Sequence, residues 1–102
     1  MLMEYMACGR PVIASYTSGH KDILNDRNAL LLTEMRPFHL IRPDGQLLAS
    51  WEESSLDELI SRIEYAYHHR EAIQQLGKYA GQGMRCFSWS RTAHKLLDTA
   101  FQ

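Results

Sequence analysis

Two differently patterned halves divide the chain. Through about Ser50, short apolar runs alternate with turn residues. Pro11-Val12-Ile13-Ala14-Ser15 has β-branched neighbours, a proline at its start and Thr17-Ser18-Gly19 at its end. A short apolar run bounded in this way predicts a buried, parallel strand. Asn25-Asp26-Arg27-Asn28 predicts a turn, because short polar side chains hydrogen-bond the backbone there. Ala29 to Thr33 then predicts a second buried strand, and His20 to Leu24 leaves room only for a turn or two of helix. Phe38 to Arg42 and Gln46 to Ala49 flank Pro43-Asp44-Gly45, the punctuation of a hairpin.

The second half, 55–102, carries a helical period. Leu56, Leu59, Ile60, Ile63, Ala66 and Tyr67 form one apolar stripe, and Ser55 with Glu58 has the spacing of a capping box. Ile73, Leu76, Ala80, Met84 and Phe87 predict a second helix after a bend near His69-Arg70, with Gly81 and Gly83 loosening its end. Ser88 is placed to cap a last helix carrying Ala93, Leu96, Leu97, Ala100 and Phe101. Trp51 and Trp89 are expected to anchor packing. Strands first and helices second predict part of an α/β layer domain.

Composition narrows the picture. The 102 residues, 45% hydrophobic and 23% charged, suit a single domain with one modest core. Eleven lysines and arginines against 12 aspartates and glutamates give a net charge of −1, which disfavours a nucleic-acid partner held by a basic face. No apolar run approaches the roughly 20 residues of a transmembrane segment, and no secretory leader opens the sequence. Cys8 and Cys86 lie far apart, as expected of reduced, buried thiols in a cytoplasmic protein.

Candidate chemistry is mostly excluded. His68 and His69 project about 100° apart on a helix, and His20, His39 and His94 lack ligand partners, so no metal site is expected. There is no nucleophile elbow, no Gly-x-Gly-x-x-Gly and no Walker loop, and no cofactor is implied. Cys8 has no helix start nearby to activate it.

One stretch remains: Glu4-Tyr5-Met6-Ala7-Cys8-Gly9-Arg10-Pro11-Val12-Ile13-Ala14, followed by Ser18-Gly19-His20-Lys21-Asp22-Ile23-Leu24. It resembles the carboxy-terminal domain of group 1 (family 4, GT-B fold) retaining glycosyltransferases, which use nucleotide sugars. Their pattern there is Glu-Ala-Met-Ala-x-Gly-x-Pro-Val-Ile-Ala, then a glycine pair, a short helix with an acidic residue, and a turn. Asn25 to Leu32, Leu56-Asp57-Glu58-Leu59 and Phe87-Ser88-Trp89 resemble later segments of the same domain. The hairpin region, about 34–53, departs from the family as an apparent insertion.

The resemblance implies a partial Rossmann-like three-layer domain over residues 1–102. Glu4 takes the place of the second glutamate of a Glu-x7-Glu motif, whose carboxylate accepts hydrogen bonds from the nucleotide ribose. A carboxylate suits a vicinal diol because it offers two acceptor oxygens to two donors. The first glutamate would lie before Met1, together with the diphosphate loop and an amino-terminal domain. Thr17, Ser18 and Gly19 follow the first strand, where open α/β sheets place ligands, and with Gly9 they are the candidate cleft-lining residues. Gly9 and Gly19 also fit simple backbone roles. Asp22 takes the family's acidic position, and Ser18 stands where the family often has glycine.

The expected partners are a nucleoside diphosphate sugar donor, an acceptor of unspecified type and a missing or separately encoded amino-terminal domain. The expected activity is sugar transfer, with the isolated chain inactive. The alternative is a non-catalytic fragment or binding module that pairs with a separate chain. An unrelated α/β domain is the third reading.

Overall fold

A computed structural model describes residues 1–102. Its elements run in the order α1 (Leu2–Ala7), β1 (Ile13–Ser15), a short 3-10 helix (Ser18–Asp22), β2 (Leu30–Leu32), β3 (Met35–Ile41), β4 (Leu47–Ser54), α2 (Leu56–His68), α3 (Arg70–Met84) and α4 (Trp89–Ala100). The class is α/β, with all strands before residue 55 and three helices after it. β1 and β2 pair in parallel, Ala14 opposite Leu31, while β3 and β4 form a separate antiparallel ribbon.

The turn between β1 and β2 is closed by its asparagines. Asn25 Oδ1 accepts from the amides of Arg27 and Asn28, and Asn28 Oδ1 accepts from Asn25 N at 2.8 Å. Asn28 also donates from Nδ2 to Ile23 O at 3.0 Å, so both polar atoms of this buried side chain have a partner. The ribbon extends the expected hairpin at its base. Gly45, at φ +87°, and Asp44 Oδ1, which accepts from Gln46 N, make its turn.

The core lies between α1, α3 and the parallel pair. Met6, Ala14, Leu24, Ala29, Ala80 and Met84 form its buried cluster. Helix α1 ends at Cys8, Gly9 turns at φ +73°, and Pro11 leads into β1. This corner is pressed against α3 at two glycines one turn apart. A Cβ on Gly77 would stand 2.5 Å from Gly9 O and 2.8 Å from Pro11 N; one on Gly81 would stand 3.1 Å from Gly9 Cα. Gly81 therefore lets two backbones meet rather than loosening the helix, which runs on to Met84.

Helix α2 docks in an unexpected orientation. Its half-buried positions are Glu58, Leu59, Arg62 and Ala66, whereas Leu56, Ile60, Ile63 and Tyr67 of the apolar stripe face outward. Ser55 Oγ accepts from Glu58 N as a cap, but the Glu58 carboxylate does not return to Ser55. It accepts instead from the amides of Thr33 and Glu34, and Arg62 donates to Leu31 O at 3.2 Å. The half-box arises because exposed amides at the end of β2 compete for the same carboxylate.

Other packing expectations also fail. Trp89 is 90% exposed, and Trp51 is half-exposed against Phe38, with ring centroids 4.9 Å apart. Both cysteines are exposed rather than buried, because they flank helix ends instead of lying on core faces. The molecule is a plate of 47 × 46 × 17 Å with a radius of gyration of 17.4 Å. A compact chain of this length would have about 13 Å. The ribbon and α4, which has no buried residue, project from a small core. No helix is long and apolar enough to cross a membrane.

The glycine contacts separate two otherwise similar substitutions. Gly77→Ala should destabilise the chain by about 1–3 kcal/mol through overpacking. Gly83→Ala meets nothing within 4 Å and should stabilise it by roughly 0.5–1 kcal/mol through helix propensity. Urea denaturation of the two variants checks both signs.

Candidate functional site

Glu4 lies in the only helix that precedes β1, on a face turned away from buried Met6. Its side chain is 78% exposed. It stands on the wall of an open groove of about 540 Å³ with Met3, Met84, Phe87, Ser88 and Trp89. That volume is within the roughly 300–1,000 Å³ of small-molecule sites. Phe87 and Thr92 also line a neighbouring groove of about 610 Å³, which carries Arg91 and Lys95. The start of α4 thus separates a carboxylate-bearing groove from a cation-bearing one. Ser88 Oγ caps that start by accepting from Arg91 N.

The Met1 ammonium approaches Glu4 Oε2 at 2.5 Å. Its hydrogen bond, with a backbone amide and the ammonium's charge, holds the Glu4 carboxyl below its ordinary value of 4.5. Deprotonated Glu4 retains this pairing at pH above 4.5, and it is lost as pH falls through the lowered pKa.

Thr17, Ser18 and Gly19 occupy a second place, the carboxyl end of β1. The base of the ribbon lies against it. Thr17 Oγ1 donates to the Glu52 carboxylate, and Ser15 Oγ and Ser54 Oγ are 2.8 Å apart. His20 Nδ1 donates to Ser15 O at 2.9 Å. Thr17 is therefore engaged by the ribbon, while Ser18 and Gly19 are exposed. Ser18 has φ +49°, a left-handed conformation that explains why glycine suits this position. Asp22 ends the 3-10 helix, exposed.

Gly9 occupies a third place, half-buried between α1 and α3, where its contacts with Gly77 and Gly81 account for it. The groove of Glu4 has none of Thr17, Ser18 or Gly19 on its wall. The candidate residues therefore divide among a groove, a strand end and a helix-packing corner. Sequence reasoning missed Glu52 and Ser54 at the strand end, Phe87 and Trp89 in the groove of Glu4, and Arg91 and Lys95 in the groove next to it. Trp89 directly after the helix-capping Ser88 was the available signal. No group of three or more histidines, cysteines or carboxylates that could hold a metal ion is present. Comparison with protein-family models, curated proteins and solved structures returned no match for this chain.

Two measurements follow. Acetylating the amino terminus should return the Glu4 carboxyl toward 4.5, read from its carbon chemical shift during an NMR pH titration. Ser18→Gly should stabilise the chain by about 0.5–1 kcal/mol in urea denaturation, as the left-handed strain is relieved against glycine's entropy cost.

Proposed function

We propose that the chain is the donor-binding portion of a retaining glycosyltransferase that moves a sugar from a nucleoside diphosphate sugar to an acceptor. The observation that carries this reading is the pair of adjoining grooves: Glu4 lines one, Arg91 and Lys95 line the other, and Phe87 and Thr92 line both. A carboxylate for a ribose diol beside two cations for a diphosphate follows the order of groups along a nucleotide. The motif from Glu4 to Ala14 supports the same assignment, and so does the parallel β1–β2 unit with α1 before it. In this reading the parallel pair belongs to a Rossmann-like three-layer domain of the GT-B type.

Glu4 orients the ribose, while Arg91 and Lys95 offset the diphosphate charge. Stabilising the departing diphosphate also requires backbone amides and a facing domain. The isolated chain accordingly transfers no sugar. The setting is cytoplasmic, where exposed Cys8 and Cys86 stay reduced.

A second reading, a binding module that pairs with another chain, is favoured by one observation. Leu56, Ile60, Ile63 and Tyr67 on α2 and Leu96, Leu97 and Phe101 on α4 form exposed apolar faces.

Calorimetric titration with UDP, GDP and uridine tests the first reading. Binding of one nucleotide that Glu4→Ala weakens roughly tenfold or more supports it, since charged hydrogen bonds contribute about 1.5–3 kcal/mol. Arg91→Ala with Lys95→Ala should weaken the diphosphate and leave uridine unchanged. No nucleotide binding, or binding indifferent to Glu4, overturns the reading.

A further inference from the structure

The apolar positions of the α2 stripe do not act together. Leu59 and Ala66 are half-buried beside Glu58 and Arg62, the two side chains that hold the edge of β2. Leu56, Ile60, Ile63 and Tyr67 are left facing outward, 69, 47, 52 and 66% exposed. At about 100° per residue these four fall within an arc of roughly 60°. A helix that covers a core carries a wider stripe. A narrow seam spaced by four, three and four residues is the a/d pattern through which one helix packs on another. Helix α2 lies on the far side of β2 from β1, so a strand added beside β1 would not reach this seam.

The flanks of the seam are unequal. One is Leu59 and Ala66, on the side turned toward β2. The other is Asp57 and Glu64, both exposed and neither in an ion pair. At the head of the seam a hollow of about 490 Å³ is lined by Glu34, Met35, Arg36, Ser55, Leu56 and Asp57. Its single cation, Arg36, is bound to Glu53 at 3.2 Å, which leaves Glu34 and Asp57 as two unpaired carboxylates. Two copies of α2 laid antiparallel would set one acidic flank against the other. Laid parallel, the acidic flank of each would meet Leu59 and Ala66 of the other, on the side that β2 occupies. Charge and cover both argue against self-pairing.

We propose that the seam docks a helix of a partner protein, one with apolar side chains at its own a and d positions and lysine or arginine along one flank. The apolar seam supplies the attraction, as where an amphipathic helix lies in an apolar groove. The cationic flank passes over Asp57 and Glu64, and a lysine or arginine at the partner's end enters the hollow beside Glu34. The charges select the partner and fix its direction, while the outward side chains of α2 supply most of the contact. This rests on the second reading, a module that pairs with another chain, and gives it a partner of stated chemistry. Nucleotide binding plays no part in it.

The probe is a labelled synthetic helix with leucine at every a and d position and lysine at every e and g position. Its counterpart carries glutamate in place of lysine, and like charges keep either peptide from pairing with itself. Fluorescence anisotropy should show the lysine peptide binding roughly tenfold or more tightly than the glutamate peptide, with the preference shrinking in high salt. Asp57→Lys with Glu64→Lys should invert that order, and Ile60→Ser with Ile63→Ser should abolish binding of both. If the lysine variant does not fold, the preference of the wild-type chain still decides. NMR amide shifts caused by the lysine peptide should gather on α2. Equal binding of the two peptides, or binding of neither, overturns the proposal. So does self-association of the free chain that Ile60→Ser abolishes, which would make a second copy the occupant. Shifts gathered on α4 overturn it as well, yet leave pairing with another chain standing.

Discussion

The close approach of the Gly9–Pro11 corner to Gly77 and Gly81 is the constraint on which the rest of the structure rests. Two backbones meet there at separations that leave no room for a methyl group. Only that approach brings α1 near enough for Met6 to be wholly buried beside Ala80 and Met84. Ala14 completes the same core from β1, so the strand's position is set by the helices behind it. The core is made largely of alanines and methionines. Small residues permit near contact, and the unbranched thioethers fill what remains.

Outside this core, the molecule is held by polar devices rather than by burial. Asn25 and Asn28 close the loop before β2, Glu58 and Arg62 tie α2 to the edge of β2, and Ser54 and Glu52 tie the ribbon to the end of β1. Such bonds position elements precisely in direction but contribute little net stability each. Few apolar side chains are spent in making them. The outward faces of α2, α4 and the ribbon, and the flat overall shape, are the consequence.

That arrangement also shapes the candidate site. Glu4 faces a groove whose far wall is the α3–α4 junction, so the placement of α4 decides what stands opposite the carboxylate. Thr17 and Ser18 belong to a different end of the fold, where the ribbon has taken up Thr17. A nucleotide on Glu4 would meet Phe87 and Trp89 before it met the loop after β1. The ribbon, the part of the sequence least like the glycosyltransferase pattern, is the element that engages Ser15 and Thr17 at the strand end and leaves Ser18 and Gly19 exposed.

Local chemistry was legible in the sequence. The parallel strands, the asparagine turn, the hairpin, the Ser55 and Ser88 caps and the break at His69 each follow from neighbours a few residues apart. Periodicity also showed that α2 is amphipathic, but not which of its sides the sheet would take. Unpaired amides of Thr33 and Glu34 drew Glu58 inward and turned Leu56, Ile60 and Ile63 out. Gly77 was silent for a related reason: a glycine in a helix reads as a cost until a second backbone is seen against it. The sequence alone determined the elements and nominated Glu4. The tertiary structure decided which faces meet, which edge of the sheet is closed and what stands across from that carboxylate, because those outcomes depend on groups distant in the chain competing for the same partners.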